Sequence, residues 1–363
     1  MNKRKILFLV PYPFDKAPSQ RLKFEQYYRH FEDNGFVVNK SSFVSEAFWE
    51  VIYKRGFLVQ KFFYTCSGYL RRLRDMVNLH RYDVVYVHLW VTPFGLPFFE
   101  WLVCKLSKRV IYDIDDLVYL PASKSIANNL VAGLKGKKKP LFLMKYADHV
   151  ITCTPYLDKF VRQFNTTTTD ISSTIDTDKY RPKKNFAITD RKIILGWSGS
   201  HSTSKYLLLL EPVFKQLKEE GFLFKLLVMG DANFSMEEIE IESLPWKESY
   251  ETEIISRFDI GLYPLPDEQW VYGKSGLKAL QYMAAGIPTI ATAIGANFRI
   301  IENGVNGFLV NNKEEWLICL RKLIGDEMLR KEIGLKGAEM VEKKFSINAN
   351  KGTYLSILKH VME

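Results

Sequence analysis

Short apolar runs alternate with amphipathic segments along most of the chain, and this pattern predicts its secondary structure. The runs are nearly continuous in Val, Ile, Leu and Phe, which is typical of parallel strands that are covered on both faces. Runs of strand length lie at 5–10, 36–38, 83–88, 109–113, 148–153, 192–197, 222–229, 258–263 and 287–292. Helix patterns separate these runs, so we predict an α/β fold built from strand–helix–strand units.

Segments with apolar residues at helical spacing complete the pattern. They lie at 20–34, 94–106, 141–147, 155–164, 205–220, 275–285, 313–323, 326–344 and 347–362. The polar stretch 174–185 lacks periodicity and indicates a linker. We therefore predict two doubly wound parallel-sheet domains, at 1–180 and 181–345, with a last helix at about 346–363 that packs back on the first domain.

The stretch 259–292 contains the best candidate for a ligand site. Its strand at 258–263 is followed by a loop with two prolines and then by a helix. Ligands of parallel sheets bind at the carboxyl ends of the strands, where this chain has Lys274, Ser275, Gly276 and Lys278. Backbone N–H groups at a helix start and two lysines favour an anion such as a diphosphate.

A second loop, GWSGSHSTSK at 196–205, follows the first strand of the second domain. Gly199 and Ser200 are small, so a ligand can approach the backbone closely. His201 either contacts that ligand or caps the turn, and Lys205 opens the predicted helix. Such a loop can also be a simple turn. Because both loops end strands of one domain and both carry lysine, we interpret them as holding the two phosphates of one diphosphate.

Composition excludes several classes of protein. No segment has the ~18–20 consecutive apolar residues of a membrane span, and the apolar run at 6–10 is too short for a signal peptide. The four cysteines have no paired spacing, which predicts neither a disulfide framework nor a zinc site. A reducing cytoplasm fits this composition, and the inner face of the membrane stays open as a location.

Charge is distributed unevenly. The formal net charge is +10, and residues 1–180 contain 27 Lys and Arg against 17 Asp and Glu, whereas residues 181–363 are balanced. The first half therefore meets an anionic partner, such as a membrane surface, a phosphorylated acceptor or nucleic acid, or it is simply a basic solvated surface. The cluster at 135–139 is either a solvated loop or a contact for lipid phosphate.

Residues 43–74 are rich in aromatic and basic side chains. We predict that Gly56 and Gly68 divide this stretch into two or three short amphipathic pieces. Such pieces suit a membrane interface, and they suit equally well one or two ordinary helices packed on the sheet.

Several motifs resemble those of family 4 of the retaining GT-B glycosyltransferases, and the similarity covers nearly the whole chain. The motifs are KILFLVPYPFDKAPSQR at 5–21, VIYDIDDLVY at 110–119, ADHVITCTPYL at 147–157, LLVMGD at 226–231, GKSGLKALQYMAAGIPTIAT at 273–292 and ENGVNGFLV at 302–310. The resemblance implies two Rossmann-like domains facing a cleft. It implies a UDP- or GDP-linked sugar on the second domain and an acceptor on the first, with retention and without a metal or other cofactor.

Residue roles follow from the resemblance by position. Lys205 matches a lysine that contacts the donor diphosphate. Ser275, Gly276 and Leu277 match the loop and helix start whose N–H groups face the phosphates, while Lys278 and Gln281 lie on the helix face nearest the donor. We expect Lys274 and Lys278 to act in catalysis, because the leaving diphosphate develops negative charge.

The chain also departs from the family. Many members have two glutamates, near the sugar and on the ribose, where this chain has Gly273 and Gln281. Gln281 can still bond a ribose hydroxyl through its amide. Gly196-Trp197 stands where many members have Gly-Arg, so the arginine contact to phosphate is lost or replaced.

Acidic residues follow a strand of the first domain. Asp113, Asp115 and Asp116 resemble the Asp-x-Asp metal motif of the other major glycosyltransferase fold, but the two-domain pattern argues against that fold. We expect Asp115 to act in catalysis, and we expect Asp113, Asp116, His88 and Arg21 on the acceptor side. A structural role as a strand-end cap or in the core is the alternative for the carboxylates and for His88.

These inferences define a hypothesis and its alternatives. The hypothesis is a cytoplasmic hexosyltransferase of cell-envelope polysaccharide biosynthesis, with a glycan or lipid-linked acceptor and no nucleic acid partner. The basic first half leaves peripheral contact with the membrane open. The alternatives are a non-catalytic GT-B partner subunit and a nucleotide-sugar epimerase of the same fold.

Overall fold

The computed structural model describes residues 3–117, 138–186 and 192–363. The chain divides into two compact units. Unit 1 consists of Met1–Ser173 and Asn350–Glu363, and unit 2 consists of Thr174–Ala349.

Unit 1 is built on a parallel sheet. Its strands are β1 Arg4–Val10, β2 Phe36–Ser42, β3 Val84–His88, β4 Val110–Asp113, β5 His149–Thr152 and β6 Thr168–Asp170. Their order is β2-β1-β3-β4-β5-β6, and every pair is parallel. The central strands β3, β4 and β5 are buried along their whole length, as expected for a sheet with helices on both faces.

Unit 2 repeats this plan. Its strands are β7 Ile193–Ser198, β8 Phe224–Met229, β9 Ile241–Leu244, β10 Ile260–Tyr263, β11 Thr289–Thr292 and β12 Phe308–Val310. Their order is β12-β11-β10-β7-β8-β9, again with parallel pairs throughout. The two sheets confirm the predicted α/β architecture with doubly wound parallel sheets.

Helices cover both sheets. Those of unit 1 are Pro18–Arg21, Tyr28–Asp33, Glu46–Ile52, Leu58–Asn78, Phe98–Leu106, Lys138–Tyr146 and Pro155–Val161, with 3-10 turns at Glu25–Tyr27 and Leu79–Arg81. Those of unit 2 are His201–Ser204, Glu211–Glu219, Glu251–Ser256, Leu277–Ala284, Asn297–Ile300, Lys313–Gly325 and Glu327–Phe345, with 3-10 turns at Lys205–Leu210, Glu248–Tyr250 and Gln269–Gly273. The last helix, Ile347–Val361, brings Tyr354 against Tyr27 of unit 1, with ring centroids 4.6 Å apart.

Three strands at the edges of the sheets lie outside the apolar runs that predicted strands. Strands β6, β9 and β12 have only three or four residues each, and β6 is the polar sequence TTD. Several predicted helices are also shorter than expected; the segments predicted at 94–106 and 155–164, for example, form Phe98–Leu106 and Pro155–Val161. The segment predicted at 20–34 is interrupted after Arg21, where the Lys23 side chain is buried, and the segment predicted at 205–220 begins as a 3-10 turn.

Gly68 does not divide the aromatic segment, contrary to our prediction. It lies inside the 21-residue helix Leu58–Asn78. A Cβ at this position would lie 2.7 Å from Phe43 Cζ, so the glycine lets the helix pack closely on the Phe43 ring. Gly56, in contrast, has φ +80 and lies in the break between Glu46–Ile52 and this helix.

The basic cluster at 135–139 is only partly described, since residues 135–137 lie outside the described ranges. Lys139 is not a solvated side chain: it is 1% exposed. Its ammonium donates to Thr92 O at 3.0 Å and to Phe94 O at 2.7 Å, and it lies 3.7 Å from the buried Glu100 carboxylate. The interpretation of this cluster as solvated or lipid-bound is therefore wrong for Lys139, which is a buried structural cation.

Within the described ranges, no helix is both long enough and apolar enough to cross a bilayer.

Candidate functional site

The strand order of unit 2 defines a place for a ligand. From β7 the chain proceeds outward to β8 and β9, and it then returns to β10 on the other side of β7 and continues to β11 and β12. The sheet therefore has its topological switch point between β7 and β10, where open α/β sheets bind ligands beyond the carboxyl ends. The two loops that the sequence singled out follow these two neighbouring strands.

The helix Leu277–Ala284 begins at this edge. Gly276 precedes it with φ +75, a left-handed conformation that glycine adopts without strain. A Cβ at Gly276 would lie 2.3 Å from Ile300 Cδ1, so any other residue would also clash. The first N–H groups of a helix have no intrahelical acceptor, and they favour a negative group at this position.

Lys278 joins the two loops. Its ammonium lies 4.2 Å from the centroid of the Trp197 ring and 3.5 Å from Thr203 Oγ1. A Cβ on Gly199 would lie 2.5 Å from this nitrogen, so the glycine makes room for it. Enclosure by protein atoms, followed by repulsion from Lys274, lowers the pKa of Lys278 to about 7. The residue as a whole is partly exposed.

Trp197 explains one departure from the resembling family. The indole is 1% exposed and lies beneath the Lys278 ammonium instead of presenting a charge of its own. Gly196 before it allows the Phe258 ring to pack on β7, since a Cβ would lie 1.9 Å from Phe258 Cγ. Many members of the family that this chain resembles have arginine at this position. Here Trp197 instead holds the charged Lys278 ammonium through a cation–π contact.

Two aromatic rings bridge the loops nearby. Tyr206 and Trp270 stack with centroids 5.6 Å apart. The Lys205 Nζ atom lies 5.3 Å from the centroid of the Tyr206 ring, and the Lys274 Nζ atom lies 5.6 Å from the centroid of the Trp270 ring. Lys205, Lys274 and Lys278 thus all come from the two loops and the helix at the switch point, while their binding of a diphosphate stays a prediction.

The small-residue loop is ordered by its own side chains. Ser200 caps the helix His201–Ser204, with Thr203 completing a capping box. His201 Nδ1 lies 3.1 Å from Asp231 Oδ2, and Ser204 Oγ donates to the same oxygen at 2.5 Å. These hydrogen bonds lower the pKa of Asp231 although burial opposes the shift. His201 is largely exposed and so can also meet a ligand.

Gln281 belongs to a buried network. It is 4% exposed, and its Nε2 donates to Tyr180 Oη at 2.7 Å. Tyr180 donates in turn to Glu251 Oε2 at 2.6 Å, and Trp246 Nε1 donates to Glu251 Oε1 at 2.8 Å. The glutamine therefore fixes the inner side of the helix Leu277–Ala284. Gly273 is buried at the end of the turn Gln269–Gly273, just before Lys274.

Tyr282 ties the same helix to β7. Its Oη accepts a hydrogen bond from Ser198 N at 2.7 Å. The ring packs over Gly261 of β10, where a Cβ would lie 2.6 Å from Tyr282 Cδ2. These contacts fix the helix Leu277–Ala284 against strands β7 and β10.

Unit 1 has a buried polar cluster at the carboxyl ends of its neighbouring strands β3 and β4. Asp113 at the end of β4 is 0% exposed and accepts hydrogen bonds from Lys23 Nζ and Tyr86 Oη. Burial lowers the pKa of Lys23, but Asp113, together with Cys153 and Asp115, outweighs this effect and the pKa is raised. The pair is therefore a buried ion pair.

His88, at the end of β3, lies between two carboxylates. Its Nδ1 is 3.9 Å from Asp113 Oδ1 and its Nε2 is 3.9 Å from Asp115 Oδ1. The ring is fully buried, which lowers the pKa of His88 to about 4 and keeps it neutral. Asp115 retains some exposure, and Asp116 Oδ1 accepts from Leu117 N at 2.8 Å. Arg21 ends the helix Pro18–Arg21 and is partly exposed.

Several residues of these clusters were not predicted from the sequence. They are Lys23, Tyr86, Tyr180, Glu251, Tyr206 and Trp270. Lys23 lies two residues from Arg21, but no pattern connects it with a carboxylate 90 residues away. Among the residues that the structure describes, no group of three His, Cys, Asp or Glu side chains is arranged to hold a metal ion.

Part of the chain resembles a known protein family and known proteins in sequence. Residues 192–326 match the family model of glycosyl transferases group 1. The chain is 27% identical over 182 residues to a capsular polysaccharide biosynthesis glycosyltransferase, CapM, of Staphylococcus aureus, a match that spans 47% of each protein. The chain thus matches only about half the length of that curated relative.

Solved structures resemble almost the whole chain. Anabaena HepE in complex with UDP and glucose superposes with a TM-score of 0.68 at 17% identity, covering 98% of this chain and 100% of that one. Sucrose-phosphate synthase from Thermosynechococcus elongatus gives a TM-score of 0.70 at 15% identity and covers 99% of both chains. The chain therefore has the GT-B fold, and its residues 192–326 have the sequence pattern of glycosyl transferases group 1.

Proposed function

We propose that the chain is a glycosyltransferase that transfers a hexose from a nucleotide diphosphate donor to a glycan or lipid-linked acceptor. The observation that supports this most is the position of Lys278. Its ammonium meets Gly199 and Thr203 of one loop beside the N-terminal turn of its own helix, at the switch point of a parallel sheet. Backbone N–H groups and lysines that converge there suit a diphosphate.

The same groups can serve the chemistry of transfer. Negative charge develops on the diphosphate as the bond to the sugar breaks, and preorganised cations lower the energy of that state. We assign this role to Lys274 and Lys278, with Lys205 as a further contact and with Ser275, Gly276 and Leu277 presenting their backbone. We propose that these lysines replace a metal ion and that the anomeric configuration is retained.

In unit 1 we propose that Asp115 contacts a hydroxyl group of the substrates. It is the partly exposed carboxylate of the polar cluster, whereas Asp113 and His88 are fully buried behind it. The two buried residues then position Asp115 rather than touching the acceptor. Arg21 and Asp116 remain proposed contacts on the acceptor side.

The similar proteins support a proposal for the sugar donor and for the biosynthetic process. HepE is described in complex with UDP and with glucose, and CapM is named for capsular polysaccharide biosynthesis. We therefore favour a UDP-linked hexose, with GDP as the other base, and a role in cell-envelope polysaccharide synthesis. The chain would act in the cytoplasm at the inner face of the membrane, with unit 1 in peripheral contact with the lipid.

Titration with UDP- and GDP-sugars, followed by assay of nucleotide diphosphate release, tests the function. Binding with release that persists in EDTA supports a metal-independent transferase, and NMR of the product then reports its anomeric configuration. Binding without release would favour the non-catalytic partner subunit, while interconversion of donor sugars would favour the epimerase. If neither donor binds at all, the proposal is wrong.

Single variants test the diphosphate assignment. Lys278→Met and Lys205→Met should each weaken donor binding by about 1–3 kcal/mol, since each removes a charge-assisted contact. Lys331→Met is the control, because this exposed lysine lies on the helix Glu327–Phe345. Full donor use by both site variants would contradict the assignment.

A further inference from the structure

The helix Leu58–Asn78 has its apolar residues on the side that faces away from the protein. Its inner face packs through Gly68, Arg72, Asp75 and Met76, which are buried. On the opposite face, exposed apolar side chains at spacings of about one or two helical turns form what we call the apolar stripe: Val59, Phe62, Phe63, Leu70, Leu73 and Val77. An ordinary surface helix has the reverse pattern, with polar residues outward.

Exposure along the apolar stripe is substantial. Phe62 and Phe63 are each 65% exposed, and Val77 at the far end is 73% exposed. From Val59 to Val77 the stripe extends for roughly 27 Å along the helix axis. Single exposed apolar residues are normal, but a contiguous row of this length marks an interaction site.

A second helix adds to this surface. Tyr69 contacts Phe99 with ring centroids 5.7 Å apart, and its Oη donates to Phe94 O at 3.0 Å, so the helix Phe98–Leu106 lies beside the first. Its exposed residues include Phe98 and Trp101, whose rings stack with centroids 6.1 Å apart. Aromatic side chains of this kind favour the boundary between lipid and water.

The charge around this surface is almost entirely positive. Residues 54–109 contain three carboxylates, Asp75, Asp83 and Glu100, and each is paired with a cation: Arg72, Lys108 and Lys139 respectively. Exposed basic residues in the same segment include Lys54, Arg55, Arg74 and Lys105, and these form no ion pair within the part of the chain that the structure describes. The rim of the surface is thus complementary to an anionic partner.

We propose that the apolar stripe and the adjoining helix Phe98–Leu106 are a docking surface for an anionic lipid bilayer, into whose interface the stripe inserts. This rests on the peripheral membrane contact proposed above and gives it a defined surface. Exposed phenylalanines and Trp101 would enter the acyl boundary while Arg74 and Lys105 meet lipid phosphates. A second copy of the chain is disfavoured, because the two basic rims would repel each other.

Flotation of the full chain with lipid vesicles tests the proposal. We expect binding to phosphatidylcholine vesicles that contain about 30% phosphatidylglycerol, and weaker binding to pure phosphatidylcholine or in about 0.5 M salt. The triple variant Phe62→Ser, Phe63→Ser, Leu70→Ser should bind anionic vesicles about tenfold less tightly or worse. A control triple variant, Leu223→Ser, Met328→Ser, Leu335→Ser, removes exposed apolar residues of unit 2 and should bind like the unmodified chain.

A second measurement locates the surface directly. Brominated lipid should quench tryptophan fluorescence of the unmodified chain, and Trp101→Phe should remove most of that quenching. The proposal is overturned if the unmodified chain does not float with anionic vesicles, or if the stripe variant floats equally well. The surface would be assigned to a second copy of the chain if the unmodified chain and the control variant form a dimer in solution, the stripe variant does not, and none of them binds vesicles. UDP binding should be unchanged in the stripe variant, so failure of this proposal is distinguishable from failure of the donor site.

Discussion

The Lys278 ammonium lies 4.2 Å from the centroid of the Trp197 ring, above the end of β7. The ring attracts the cation, while the enclosure of the ammonium and the nearby Lys274 disfavour its charge and lower the pKa to about 7. The site therefore holds a lysine whose charge is easily lost until an anion arrives. We therefore predict that nucleotide binding at this site, if the proposed function is right, depends on pH.

Affinity for UDP should fall as the pH rises from about 7 to about 9. At lower pH the free protein already carries the proton on Lys278, whereas above its pKa the proton must be taken up on binding. Affinity then falls by up to tenfold per pH unit. Calorimetric titrations over this range, in buffers of different ionisation enthalpy, report both the affinity and the proton uptake.

Lys278→Met provides the control for this pH dependence. The variant has no group at that position to titrate, so its weaker affinity should stay nearly constant over the same range. Phosphate groups with a pKa near 6 are already ionised there. Equal pH profiles for the variant and the unmodified chain would show that another group is responsible.

Gln281→Glu should destabilise unit 2 by about 1–3 kcal/mol at pH 8. Tyr180 has one hydroxyl proton, which Glu251 already accepts, so a new carboxylate at position 281 would be buried without a donor. Burial raises the pKa of such a carboxylate, and the loss should therefore shrink at about pH 5, where the group is neutral. Gln281→Met, which adds no charge, is the comparison, and thermal unfolding at the two pH values measures the effect. A destabilisation that does not depend on pH would contradict the network.

Lys23→Met should cost unit 1 about 3–5 kcal/mol, because it leaves the Asp113 carboxylate buried without its cation. The double variant Lys23→Met, Asp113→Asn removes both charges and should recover most of that loss. Urea unfolding of Lys23→Met, Asp113→Asn and the double variant gives the coupling energy between the two side chains. Additive effects would show that the two side chains do not form a buried ion pair.

The sequence predicted the sheets better than the clusters that lie at their edges. Apolar runs such as 83–88 and 258–263 are strands because continuous burial on both faces requires this composition. Strand β6 is polar and short, so its place at the sheet edge depends on tertiary contacts. The two loops at the ends of β7 and β10 could be singled out because glycine, serine and lysine at strand ends follow a local rule, and their role toward a diphosphate stays a prediction.

Buried polar residues had no such local rule. Lys23 and Lys139 look like surface lysines in the sequence, and only the fold brings them to Asp113 and Glu100. The exposed stripe on the helix Leu58–Asn78 was also ambiguous, since its amphipathic pattern does not tell which face meets the sheet. Gly68 resolves that question, because its missing side chain marks the face that packs.

Gly68→Ala should therefore destabilise unit 1 by about 1–3 kcal/mol. The new Cβ would lie 2.7 Å from Phe43 Cζ, and the Phe43 ring is buried with little room to move. Gly352→Ala is the matched control: this helical glycine in Ile347–Val361 has open space at its Cβ, so the change should stabilise by about 0.5–1 kcal/mol. Thermal unfolding compares the two, and Phe43→Leu combined with Gly68→Ala should restore part of the loss. If Gly68→Ala were as stable as the unmodified chain, the face of Leu58–Asn78 that we assign to the core would be wrong, and with it the outward position of the apolar stripe.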